Sequence, residues 1–230
     1  MSEIAENLNQ VQDRVAQAAD RVGRPTDAVT LIAVTKTWPA SVVQQAVDAG
    51  AHVLGENRVQ EAQEKVGQVC GPVSWHLVGH LQRNKVKVAL GVFDLIHSVD
   101  SLRLAQEIGR RGVQAGTRVR ALVQVNTSGE ASKFGVEPDE APDLIGQIAE
   151  MDGIAVAGVM TIGAFLPDPE AVRPEFVRLR KVRDQIARMR IPGVSMDELS
   201  MGMTNDFEVA IEEGATLVRV GTAIFGSRTG

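Results

Sequence analysis

Arg120-Ala-Leu-Val-Gln-Val125 and Ile154-Ala-Val-Ala-Gly-Val159 are nearly continuous apolar runs separated by a helix-period segment. A strand with one wet face alternates apolar and polar residues, whereas an unbroken apolar run suits a strand buried on both faces, as in a parallel sheet. Working outward from this pair, short β-branched runs alternate with amphipathic stretches along the whole chain. The pattern predicts an opening helix over 3–22 and strands near 29–35, 51–54, 73–78, 92–97, 118–125, 154–160, 196–200 and 215–220. Strand and helix units repeated this often predict an α/β fold, a single (β/α)8 barrel of TIM type over residues 1–230, with a doubly wound open sheet as the alternative. No Pro/Gly/Ser linker or low-complexity tract divides the chain, and Pro167-Asp-Pro-Glu170 reads as a loop before a helix.

Composition sets the functional class. The 230 residues are 44% hydrophobic and 23% charged, with a formal charge of -5 and a pI near 5.5. That balance has no basic footprint for nucleic acid or an anionic membrane. The amino-terminal Met-Ser-Glu-Ile-Ala-Glu-Asn lacks both a basic and an apolar segment, and no run approaches the roughly 18 apolar residues of a membrane span. A cytoplasmic protein that handles a small molecule is expected. Cys70 stands alone, which excludes disulfides within the chain and cysteine-rich metal sites.

In barrels of this type the reactive groups gather at the carboxyl ends of the strands. The first run, Val29-Thr-Leu-Ile-Ala-Val-Thr-Lys36, ends on Lys36. A lysine held half out of water there loses its charge easily and can attack a carbonyl as the free amine. Gly55-Glu56-Asn57-Arg58 ends the second run, His76 and Gly79-His80 the third, and His97-Ser98 the fourth. Asn126 to Phe134 follow the fifth, Met160-Thr161-Ile162-Gly163 the sixth, Ser200-Met201-Gly202-Met203 the seventh and Arg219-Val220-Gly221-Thr222 the eighth.

Two of these stretches suit a phosphate. The N–H groups of Gly221 and Thr222 can point into an anion-binding turn, with Ser200 to Gly202 across from it, and the loops after strands seven and eight are the recurrent phosphate site of such barrels. Period-two alternation puts Leu217, Arg219 and Gly221 on one face and Val218 and Val220 on the other. If the valines face the helices, Arg219 points into the barrel, where its guanidinium needs an acceptor from a ligand or from another side chain. Taken singly, these features have ordinary explanations: a strand-end lysine can be solvated or ion-paired, the glycines can belong to loops, and Met201 and Met203 can be packing. His76, His80 and His97 lack the spacing of a zinc site.

Taken together, Ala33-Val-Thr-Lys-Thr37, Gly55-Glu-Asn-Arg-Val-Gln-Glu61, Trp75-His-Leu-Val-Gly-His-Leu-Gln-Arg-Asn-Lys85, His97-Ser-Val-Asp100, Asn126 to Gly135, Gly158-Val-Met-Thr161, Leu199 to Phe207 and Val218 to Gly226 span nearly the whole chain. They resemble the pyridoxal 5'-phosphate (PLP) homeostasis protein family of the YggS/PROSC type. The resemblance implies a barrel like the N-terminal domain of alanine racemase, PLP fold type III. It implies that Lys36 carries PLP as a covalent Schiff base (an aldimine) and that Arg219 faces the pyridine nitrogen. Phosphate contacts are implied for Ser200, Gly221 and Thr222, with Asn57, His76 and Met201 lining the cofactor. Departures are small: Leu77 stands where a bulkier residue is expected, and the tail after Gly226 carries no lysine. Members of that family carry or buffer PLP and support vitamin B6 and amino-acid homeostasis, with apo-enzymes as possible recipients. The alternative is a weak PLP-dependent enzyme acting on amino acids, racemase-like. A two-base racemase of this fold needs a tyrosine opposite the lysine, and the chain contains none, which favours the carrier.

Overall fold

The computed structural model describes residues 2–130 and 133–227. Ala131 and Ser132, inside the stretch expected to follow the fifth strand, and the last three residues of the tail lie outside the described residues. Strands β1 (Thr30–Val34), β2 (Val53–Glu56), β3 (Ser74–Leu77), β4 (Leu95–Val99), β5 (Val119–Gln124), β6 (Ile154–Met160), β7 (Glu198–Ser200) and β8 (Leu217–Val220) follow one another in sequence order around a closed barrel. Every pairing is parallel, and β8 returns to β1 with Thr30 opposite Leu217 and Ala33 opposite Val220. Closure leaves the sheet without an edge, so the open doubly wound alternative is set aside.

Helix α1 (Glu3–Arg21) precedes β1. Helices α2 (Ala40–Asp48), α3 (Val59–Val66), α4 (Val86–Ala89), α5 (Leu102–Ala115), α6 (Ala141–Ala149), α7 (Arg173–Met189) and α8 (Phe207–Glu212) follow β1 to β7 in turn, and α9 (Thr222–Phe225) follows β8. The Ser2 hydroxyl accepts from the Ala5 N–H at the start of α1, and Leu8, Val11, Val15, Ala18 and Ala19 form its buried stripe at helical spacing. Among the described residues no helix is long and apolar enough to cross a membrane.

Period two divides each strand between two environments. Leu54, Leu77, Ile96, Val123, Val159, Leu199, Val218 and Val220 pack outward with the helices into one apolar layer. Ile32, Val78, Leu95, Leu122, Ala157, Met160 and Leu217 form a much smaller cluster inside the barrel. A register shift between Ala121 and Leu122 sets Gly158 opposite Leu122 and lets Ala157 join the inner cluster.

Two strand ends fall later than the sequence suggests. The second strand, expected at 51–54, runs from Val53 to Glu56, and the fourth, expected at 92–97, runs from Leu95 to Val99. For β4 the cause is Asp94, whose Oδ2 accepts from the Ser74 hydroxyl at 2.8 Å and the Trp75 N–H at 2.9 Å and so ties the preceding loop to the start of β3. His97 and Ser98 are therefore inside a strand and wholly buried, not on the rim beyond it.

Candidate functional site

At the carboxyl ends of the strands the barrel opens into a cavity of about 450 Å³, within the range of small-molecule sites. Alternation along β1 builds one wall: Ile32 lies in the inner cluster, Val34 lines the cavity above it, and half-buried Lys36 follows on the same face. Asn57 lines it just beyond β2. A side chain at Gly79 would collide with the Asn57 backbone, so that glycine lets the loops after β2 and β3 pass closely enough to hold Asn57 at the opening.

Arg219 makes the floor. Val218 and Val220 face the outer layer, and Arg219 turns inward, 5% exposed, as alternation requires. Its guanidinium donates to Ser200 Oγ at 2.5 Å and to the Thr161 carbonyl at 2.7 Å, and it also lines the cavity. Burial pulls its pKa down to about 10, with Asp206 opposing the fall, so it remains cationic at pH 7. Asp206 lines the cavity as well. Its carboxylate accepts the Met203 N–H at 2.5 Å; burial raises its pKa, and the Met203 N–H and Arg219 hold the rise back.

A polar column continues beneath the floor. Ser200 Oγ lies 3.0 Å from His97 Nδ1, and His97 Nε2 lies 3.1 Å from His76 Nδ1. Desolvation drives His76 down to about 4 and holds His97 well below its ordinary value, where neighbouring His76 and Arg219 add to the effect. Both rings are neutral at pH 7. A neutral imidazole donates through one nitrogen and accepts through the other. One arrangement satisfies the whole column: Arg219 donates to Ser200, Ser200 to His97 and His97 to His76.

Gly221 and Thr222 form the side of the cavity between β8 and α9. Gly221 has an ordinary φ of -118°, so no left-handed conformation calls for glycine. A Cβ there would stand 3.3 Å from the Val34 carbonyl oxygen, and its absence lets the end of β8 lie against the end of β1. The Gly221 N–H meets Thr204 Oγ1 only at 3.4 Å. The first N–H groups of α9 have no acceptor within the helix, so this side of the cavity is receptive to an anion.

The fold thus brings Lys36, Asn57, Arg219, Gly221 and Thr222 to one cavity. His76, Ser200 and Met201 are not among its lining residues. The Ser200 hydroxyl is wholly buried and engaged by Arg219 and His97, and Met201, one position further along, packs in the outer apolar layer. Sequence reasoning put Ile162 and Met203 on the rim without a role and missed Val34, Val78, Phe165 and the segment Thr204 to Asp206; all of them line the cavity. Val34 was accessible from its spacing to Lys36. Phe165, 82% exposed in the loop after β6, carried no periodic signal.

This barrel is that of the alanine racemase N-terminal domain class: the family model described as alanine racemase, N-terminal domain, matches residues 6–229. The pyridoxal phosphate homeostasis protein of Aquifex aeolicus (strain VF5) is 43% identical over 224 residues, covering 97% of this chain and 97% of that protein. A protein of Bifidobacterium adolescentis with a crystal structure superposes with a TM-score of 0.91 at 43% identity, over 96% of this chain and 94% of that one. PipY of Synechococcus elongatus PCC7942, solved with PLP bound, superposes with a TM-score of 0.84 at 34% identity, over 97% and 100% of the two chains. The chain belongs to the pyridoxal phosphate homeostasis protein family.

Proposed function

We propose that this barrel, as a single binding unit in the cytoplasm, holds pyridoxal 5'-phosphate covalently on Lys36 as a Schiff base and carries or buffers it for apo-enzymes, in support of vitamin B6 and amino-acid homeostasis. The convergence of Lys36, Arg219 and the Gly221–Thr222 backbone on one cavity of about 450 Å³ carries this reading. PLP presents an aldehyde, a pyridine nitrogen and a phosphate, and the cavity has an amine, a guanidinium and an anion-receptive turn. The group fits the residues present, and the PLP carried by the structure of PipY supports the assignment.

Bound there, PLP supplies an aldehyde carbon that a lysine can hold reversibly. Lys36 is the tether. Gly221 and Thr222 receive the phosphate through backbone N–H groups. Arg219 is held on Ser200 and Thr161 and presents its remaining edge to the ring nitrogen. A fixed cation in that position discourages ring protonation and weakens the ring as a sink for carbanion electrons, which favours carriage over amino-acid turnover. Asn57 borders the opening, Val34 and Val78 supply apolar wall, and His76 acts only through the column below.

Borohydride reduction of the PLP-treated protein, followed by peptide mapping, tests the tether. The label is expected on Lys36 and absent from Lys36→Ala; a label on another lysine such as Lys133 overturns the assignment. Transfer of bound PLP to an apo-enzyme is expected. Rapid exchange of an amino acid's α-proton in deuterated water, lost in Lys36→Ala, would instead establish an enzyme.

A further inference from the structure

Lys36 sits in a turn gripped from both sides by one helix. The Thr35 carbonyl, which precedes it, accepts from Lys65 Nζ at 2.8 Å; the Thr37 N–H, which follows it, donates to Glu61 Oε2 at 2.9 Å. Glu61 and Lys65 are four residues apart on α3 and so share a face. The turn closes with the Trp38 N–H on the Thr35 carbonyl at 3.1 Å, and Thr37 has a φ of +69°. That is the position where a type II turn takes glycine or asparagine, and a β-branched residue is disfavoured there. The conformation needs a restraint from outside the turn, and Glu61 supplies one.

The other half of the grip is buried. Lys65 Nζ also donates to Glu56 Oε1 at 2.5 Å, and the Thr35 hydroxyl reaches the same oxygen at 2.6 Å. Glu56 is wholly buried, burial raises its pKa, and its Oε2 has no hydrogen-bond partner among the described residues. A buried ion pair with an oxygen left unsatisfied contributes little to stability compared with an apolar pair of the same volume. Its distinctive effect is directional, because it aims an ammonium at the one carbonyl that leads into Lys36.

We infer that α3 positions Lys36: Glu61 and Lys65, with Glu56 behind them, are positioning residues that set the turn from which the lysine amine enters the cavity. The inference rests on the reading of Lys36 as the PLP attachment point. Attachment is a condensation in which the lysine nitrogen adds to the aldehyde carbon, a carbon–nitrogen double bond forms and one water leaves.

The test compares Glu61→Ala, Glu61→Gln, Thr37→Gly and the double variant Glu61→Ala/Thr37→Gly with the wild type. The readouts are the rate of borohydride-trappable PLP attachment, hydrogen exchange at the residue 37 amide, and thermal unfolding as a control for folding. Loss of a hydrogen bond to a charged group should slow attachment by about tenfold in Glu61→Ala and deprotect the Thr37 amide. Glutamine keeps an oxygen acceptor, so Glu61→Gln should stay within about twofold of the wild type. Glycine adopts positive φ without penalty, so the double variant should regain the wild-type rate, which a merely structural role for Glu61 would not produce. Attachment in Glu61→Ala as fast as in the wild type, or no recovery in the double variant, overturns the positioning role. If the wild type carries its label on another lysine, the attachment reading fails first and the positioning role falls with it.

Discussion

The outer and inner faces of this barrel come from alternate residues of the same strands and have opposite character. Outside, strand and helix side chains merge into a continuous apolar layer around Phe176, Phe207, Leu54 and Leu77, all wholly buried. Inside, a small apolar cluster shares the space with His76, His97, Ser200 and Arg219. Burial of apolar area is the main favourable contribution to folding, at about 25 cal/mol per Å², and here most of it lies outside. A buried polar group needs a partner, and the inner groups find theirs in one another. The outer face therefore holds the fold while the inner face builds a site floor.

Lys36→Ala is the strongest test of that division. Borohydride-trappable PLP should be lost completely, while the unfolding free energy measured in urea changes by less than about 1 kcal/mol. Phe176→Ala or Phe207→Ala, in the outer layer, should do the reverse. Each is expected to lower stability by about 3–5 kcal/mol while the folded fraction still takes up PLP in stoichiometric amount. An outer-layer mutant that lost cofactor while remaining fully folded would break the comparison.

The inner column makes stability depend on pH. His76 has its pKa lowered from 6.5 to about 4, and His97 is lowered too, so the unfolded chain takes up protons that the folded chain refuses. Stability is thus fully present above the unfolded value and declines as pH falls below it, by about 1.4 kcal/mol per pH unit for each histidine. For His76 the decline ends near pH 4. Unfolding measured from pH 7.5 to 5 should show this slope, and His97→Gln should flatten it; an unchanged slope would place the titration elsewhere.

Ser200→Ala should have the smallest effect on ligand binding, about 1.5 kcal/mol, because it removes the bonds to Arg219 and His97 that hold the floor and no contact with the cavity itself. With its hydroxyl on Arg219 and His97, the variant should weaken PLP and unphosphorylated pyridoxal by the same factor in titrations. A loss confined to PLP would return Ser200 to the phosphate.

Much of this molecule is legible in local patterning alone. Nearly continuous apolar runs at Arg120–Val125 and Ile154–Val159 imply doubly buried parallel strands, and alternation places Arg219 inward because a side chain's face follows from its parity along the strand. The same parity joins Val34 to Lys36. Closure of the barrel decided the rest. His97 and Ser200 are 103 positions apart and Arg219 meets Thr161 across 58, so no spacing in the chain could reveal that the serine supports the arginine. Asp94 set where β4 begins, and with it the burial of His97. The grip of α3 on the turn at Lys36 likewise exists only once helix and strand are packed, since a hydrogen bond depends on distance and direction in space and leaves no periodic trace in sequence.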